Sequence, residues 1–186
     1  MFLPCPNRHQ SGHLVTQSGG RACFWDLDGT LIQDVPRNTD PDRVRLLPDV
    51  TEWMRALSLD GWRQVIVTNK GASTVKGGVT HDQLATIHER VLELLAVRGI
   101  FIDGVYYCPH YDRSPGGADA EWNVDQCPCR KPRPGMLFAA RDDLGLELDR
   151  CWMVGDMNTD AECGRSVGCR TLLIDHGSIK HSGETR

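Results

Sequence analysis

Apolar residues along this chain follow two rhythms. Five short runs are nearly continuous: ACFWDL, RQVIVTN, GVYYCP, CWMVGD and TLLID. Such runs suit the strands of a parallel sheet covered on both faces. Between them, apolar positions recur every three or four residues, the period of a helix. Val50, Trp53, Met54 and Leu57 share one face after Pro48. Leu84, Ile87, Val91, Leu94 and Leu95 form a second stripe, with Thr80 as cap and Gln83 completing a capping box. Pro134 fits the first turn of a third helix that continues from Met136 to Leu144, and a fourth runs from Thr159 to Val167 and stops at Gly168. Strands alternating with helices predict an α/β domain with right-handed crossovers.

In such sheets, ligands bind beyond the carboxyl ends of the strands. The polar residues there are Asp26 and Asp28 after the first run, Thr68 and Asn69 after the second, and Asp156 and Asp160 after the fourth. The third run leads into Cys108. Two carboxylates one residue apart repel each other and resist burial, and a Mg²⁺ ion, which seeks oxygen ligands, resolves that conflict. A straight strand would aim Asp26 and Asp28 to opposite faces, so a turn at Gly29 is expected to end the strand and let both face one pocket.

Composition narrows the reading. The 186 residues fit one domain, expected at 21–176, with an arm at 1–20 and a tail at 177–186. A formal charge of -4 argues against a general nucleic-acid binder. No stretch is long and apolar enough to cross a membrane, and the first residues lack the basic start and apolar core of an export signal. Of the 8 cysteines, Cys5 lies in the arm and the other seven fall into two kinds. Cys23, Cys151, Cys163 and Cys169 sit in or near apolar elements, where a thiol acts as a small hydrophobe. Cys108, His110, Cys127 and Cys129 form C-x-H and C-x-C pairs, a closed tetrahedral set for a structural Zn²⁺ in the loop 108–129, whose main hydrophobe is Trp122. A reducing, cytoplasmic setting is expected, with the second group holding metal rather than disulfides. His81, His88 and His176 are expected at the surface or as helpers, not as ligands.

DLDGT, TNK, the lysine of CRKP, and GDMNTD stand in that order between Asp26 and Asp160. The ordered set resembles the haloacid dehalogenase (HAD) superfamily of phosphatases. That resemblance implies a Rossmann-like sheet, with Asp26 as nucleophile forming an aspartyl-phosphate and Asp28 as general acid and then base. It also implies Thr68 and Asn69 on the phosphoryl oxygens and Lys131 neutralising charge. Mg²⁺ would be held by Asp26, Asp156 and the backbone carbonyl of Asp28, with Asp160 supporting that shell from behind. A carboxylate nucleophile divides one hard displacement into two easier ones, and the remaining catalysis is positioning and electrostatics.

The zinc loop narrows the resemblance to the heptose 1,7-bisphosphate and histidinol-phosphate phosphatases. In those, Arg130 would contact a second phosphate or another anion, as a guanidinium fork suits. The interval after Thr30 has no room for a cap domain, so the pocket would be open, with the zinc loop as part of its wall. The chain departs from that family at Leu27, commonly arginine, and at Lys70 in TNKGAS, where TNQSG is usual. Lys76 replaces a frequent arginine, and the N-terminal arm is extra. Lys70 either adds positive charge to the substrate site or points outward.

The expected activity is Mg²⁺-dependent hydrolysis of a sugar or polyol phosphate by a monomer. Heptose 1,7-bisphosphate leads as substrate and histidinol phosphate is its rival. A DLDGT motif also occurs in polynucleotide 3′-phosphatases, but no aromatic-basic track for nucleic acid is visible. The other class of reading is a zinc-stabilised interaction module without catalysis, against which the intact Asp26, Asp28, Lys131 and Asp156 argue.

Overall fold

All five continuous apolar runs become strands of one sheet. In the computed structural model the described residues are 8–9, 20–71, 78–111 and 126–175. Lys76, Trp122, His176 and the tail lie outside them, as does most of the arm. The strands are β1 (Arg8–His9), β2 (Ala22–Trp25), β3 (Arg63–Asn69), β4 (Gly104–Cys108), β5 (Trp152–Gly155) and β6 (Arg170–Leu173), in spatial order β1-β4-β3-β2-β5-β6. The pairs from β4 across to β6 are parallel, and β1 adds a short antiparallel edge in which Arg8 faces Tyr106 and His9 faces Val105. Residues 8–9 of the N-terminal arm thus cover an edge that would otherwise offer unpaired backbone groups.

Helices α1 (Pro48–Leu59), α2 (His81–Ala96), α3 (Gly135–Leu144) and α4 (Asn158–Arg165) connect the strands. Thr80 and Gln83 form the expected capping box. α3 ends at Gly145 in the left-handed conformation, which a glycine adopts without a Cβ penalty. Between β2 and α1 stands only a 3-10 turn, Pro41–Arg43, and no separate cap domain occurs there among the described residues.

Two cores flank the sheet. Phe24, Val65, Val67 and Met153 pack with Leu137, Ala140 and Leu144 of α3 on one face. Trp25, Leu27, Ile66 and Val154 pack with Met54, Ile87, Val91 and Leu95 on the other. Neighbouring residues of β2 therefore serve opposite cores, so the strand reads as a continuous apolar run.

Two side chains differ from expectation. Trp53 is 49% exposed although it belongs to the apolar face predicted for α1. His88, expected at the surface or as a helper, is buried in α2 with its ring edge-on to Tyr107, centroids 5.0 Å apart. No helix among the described residues is long and apolar enough to cross a membrane.

Candidate active site

Parallel strands place their carboxyl ends together, and β2, β3 and β5 do so here. The Asp26 amide donates to the Val154 carbonyl at 2.9 Å, so Asp26 extends the β2–β5 ladder by one step. The chain then turns at Gly29, whose φ is +79°. A Cβ at that position would lie 2.6 Å from Asp156 Oδ2, so only glycine lets the turn approach Asp156 so closely. The expected turn is therefore present, and its purpose is close packing against the acid from β5.

Asp26, Asp156 and Asp160 each bring a carboxylate oxygen within 4.8 Å of the other two. Lys131 meets two of them: its Nζ lies 2.6 Å from Asp26 Oδ1 and 2.7 Å from Asp160 Oδ1, and donates to the Val67 carbonyl at 2.8 Å. This ammonium is only 3% exposed. Asp160 also accepts the Met157 amide at 3.1 Å, which ties the first turn of α4 to the site. Gly155 permits that approach, because a Cβ there would stand 2.3 Å from Asp160 Oδ2.

Burial pushes the Asp26 carboxyl up to about 7, although Lys131 pulls the other way, and Asp160 and Asp28 add to the rise. Asp156 is raised as well, by burial first and by Asp160 second. Burial would lower the Lys131 ammonium, but Asp26 and Asp160 outweigh it and raise the group above its ordinary value. The site therefore holds more buried negative charge than one lysine offsets. Asp156 Oδ1 is buried and has no hydrogen-bond partner among the described residues. An orphaned carboxylate oxygen among clustered acids fits a hard divalent cation.

Asp28 is not among the three acids grouped within 4.8 Å of one another, and its Oδ2 is ion-paired with Lys70 Nζ. Of the two placements open to Lys70, the inward one is found: the residue is 5% exposed. Thr68 is buried at the end of β3. The Asn69 side chain is committed to Lys131, donating to its carbonyl and accepting from its amide, each at 3.0 Å. Nothing in the sequence announces that clamp, which joins residues 62 positions apart.

The cysteine cluster abuts the same edge, because Cys108 faces Asn69 in the β3–β4 register. Cys108 Sγ lies 3.7 Å from Cys127 Sγ and 3.8 Å from His110 Nδ1, and Cys127 Sγ lies 3.2 Å from that nitrogen. Cys129 is buried nearby but is not in the group of donors within 4.8 Å of one another. No disulfide joins the seven described cysteines. Arg130 donates to the His110 carbonyl at 3.1 Å and stacks over Tyr111, its guanidinium carbon 5.1 Å from the ring centroid. Gly71 carries no motif letter that announces a role. A Cβ there would sit 2.0 Å from the His110 carbonyl oxygen, so glycine lets the loop after β3 touch the cysteine loop.

Comparison with known proteins agrees with this geometry. The HAD-hydrolase-like family profile matches residues 128–185. D-glycero-D-manno-heptose-1,7-bisphosphate 7-phosphatase of Thermosynechococcus vestitus is 36% identical over 157 residues, 84% of this chain and 79% of that protein. The D-glycero-beta-D-manno-heptose-1,7-bisphosphate 7-phosphatase of Escherichia coli K12 is 37% identical over 154 residues, 82% of this chain and 78% of its own length. Among solved structures, a HAD-like phosphatase from Mesorhizobium loti superposes with a TM-score of 0.85 at 30% identity, covering 98% of this chain and 85% of that one. The D,D-heptose 1,7-bisphosphate phosphatase of B. bronchiseptica, complexed with magnesium and phosphate, gives 0.67 at 29% identity, covering 83% and 79%. With the buried acids and lysine at the sheet's carboxyl edge, these likenesses establish that the chain belongs to the haloacid dehalogenase superfamily of phosphatases.

Proposed function

We propose that this phosphatase removes the 7-phosphate of D-glycero-D-manno-heptose 1,7-bisphosphate in a Mg²⁺-dependent reaction through an aspartyl-phosphate on Asp26. The observation that carries the chemistry is the buried acid cluster with Lys131 at its centre and one Asp156 oxygen without a hydrogen-bond partner among the described residues. The substrate reading is supported by relatives of that name, 33–37% identical over more than four-fifths of the chain.

Asp26, Asp156 and the backbone carbonyl of Asp28 would hold the Mg²⁺, with Asp160 behind them. The ion would offset carboxylate charge and polarise the phosphoryl oxygens. Asp26 then attacks phosphorus. The bond from phosphorus to the ester oxygen breaks, and that oxygen takes a proton from Asp28. In the second half, Asp28 accepts a proton from water as it attacks the same phosphorus, and Asp26 leaves as a carboxylate. Proton transfer of this kind contributes about 10²–10⁴-fold. Lys131 neutralises charge that accumulates between Asp26 and the phosphoryl group. Thr68 borders the phosphoryl site, and Asn69 acts by holding the Lys131 backbone. Arg130 takes the anionic end of the substrate remote from the reacting phosphate.

We read the cysteine cluster as a structural Zn²⁺ site of Cys108, His110 and Cys127, with Cys129 as the fourth ligand. Tetrahedral zinc with Zn–S bonds of about 2.3 Å separates its sulfurs by about 3.8 Å. The Cys108–Cys127 separation of 3.7 Å supports that reading. Thiolates that bind zinc favour a reducing compartment such as the cytoplasm.

The test is a phosphate-release screen with Mg²⁺ over heptose 1,7-bisphosphate, the heptose 1- and 7-monophosphates and histidinol phosphate. The expected result is one equivalent of phosphate from the bisphosphate, leaving heptose 1-phosphate, at a kcat/KM above all other compounds. A higher kcat/KM on histidinol phosphate would overturn the substrate. Absence of release from every compound would overturn the enzymatic reading.

A further inference from the structure

The two acids of DLDGT are served by different lysines. Lys131 joins Asp26 to Asp160, whereas Lys70 Nζ takes Asp28 Oδ2. Lys70 is 5% exposed and its backbone is fixed on both sides. Its amide donates to the Cys108 carbonyl at 2.7 Å, and the next residue, Gly71, packs on the His110 carbonyl with no room for a Cβ. The Asp28 side chain, by contrast, is 30% exposed, on the open side of the site. It stands in a chain that has just left its strand, and a carboxylate there would swing between orientations unless something held it. A charge-assisted bond from a buried, backbone-anchored ammonium holds it.

We propose that Lys70 is a positioning residue for Asp28, holding one carboxylate oxygen so that the other exchanges the proton with the leaving group and later with water. This rests on Asp28 being the general acid. In phosphoryl transfer, an Asp26 carboxylate oxygen bonds to phosphorus and the bond from phosphorus to the ester oxygen breaks. The ester oxygen keeps the electron pair and takes the proton carried by Asp28. Lys70 forms no bond to the reacting atoms. It sets the direction from which the proton arrives and keeps Asp28 away from the cluster of Asp26, Asp156 and Asp160.

A lysine acting through Asp28 and a lysine binding the phosphoryl group predict different leaving-group dependence. A sugar alkoxide leaves only with a proton, whereas p-nitrophenolate leaves without one. kcat/KM reports the transfer to Asp26 for both. The experiment compares heptose 1,7-bisphosphate with p-nitrophenyl phosphate for wild type, Lys70→Met and Asp28→Asn. Mg²⁺ affinity is measured by calorimetry on the same preparations. Lys70→Met is expected to lower kcat/KM about 30-fold on the sugar phosphate and less than about 3-fold on the aryl phosphate, a partial loss of the roughly 10²–10⁴-fold that a well-placed proton donor supplies. Its Mg²⁺ affinity should match wild type. Asp28→Asn should show the same split, only larger. An equal loss on both substrates in Lys70→Met, or no loss, overturns the proposal in favour of phosphate binding or of no role. An equal loss in Asp28→Asn overturns the assignment of Asp28 itself. Should Lys70→Met fail to fold, Lys70→Gln keeps a neutral donor and is expected to show the same split at smaller size. An even loss there also overturns the proposal.

Discussion

Gly29 shows how much of the site depends on one missing methyl group. It lies between the two acids of the first motif and the acid of β5, at φ +79° and with Asp156 Oδ2 where a Cβ would go. Gly29→Ala must move either the turn or Asp156. We expect it to weaken Mg²⁺ binding by calorimetry and to lower kcat/KM by about 10–100-fold, since a displacement of about 1 Å at a reacting centre costs that much. Unchanged Mg²⁺ affinity would contradict the assignment of Asp156 and the Asp28 carbonyl together as ligands. The motif letters DLDGT carried this much of the site: two acids, a turn and a reason for the turn. They did not carry the partners. Lys70 meets Asp28 across 42 residues, and Asn69 clamps Lys131 across 62. Which lysine serves which acid depends on strand order, and no local spacing encodes it.

At the level of elements, hydrophobic period specified which segments are helices and where their faces lie, because burial repeats with the helical turn. It did not say which residue on the margin of a stripe is covered. His88 sits one position beyond Ile87 and four before Leu92, inside the α2 stripe, and is buried against Tyr107. Trp53 stands beside the buried Met54 yet faces solvent, because α1 presents a narrower face to the sheet than its apolar letters suggest. α4 shows the same dependence on the neighbour. A Cβ on Gly164 would come within 2.7 Å of Met153 Cβ and 2.8 Å of Thr171 Cγ2, so the helix lies directly on β5 and β6. Gly164→Ala is therefore expected to destabilise the fold by about 1–3 kcal/mol, the range of an overpacked core, as read by urea denaturation. An unchanged midpoint would show that α4 can lift without cost.

Across the molecule, the cysteines separate by environment, much as their sequence neighbourhoods suggest. Burial pushes the Cys151 thiol up to about 11 and those of Cys163 and Cys169 up to about 12, and raises Cys23 well above its ordinary value. A raised thiol stays protonated at pH 8, and only the thiolate reacts. Native protein treated with iodoacetamide at pH 8 should leave these four unmodified by peptide mass. A zinc chelator should make Cys108, Cys127 and Cys129 the first of the described cysteines to react. If those three are equally protected with and without chelator, they hold no metal. Asp26 taking the phosphoryl group is the central step of the proposed chemistry, and borohydride tests it most directly. An acyl phosphate is reduced by borohydride to an alcohol, so enzyme quenched during turnover and reduced should carry homoserine in place of Asp26, found by peptide mass. Turnover with no homoserine at position 26, or with homoserine at another aspartate, would contradict it.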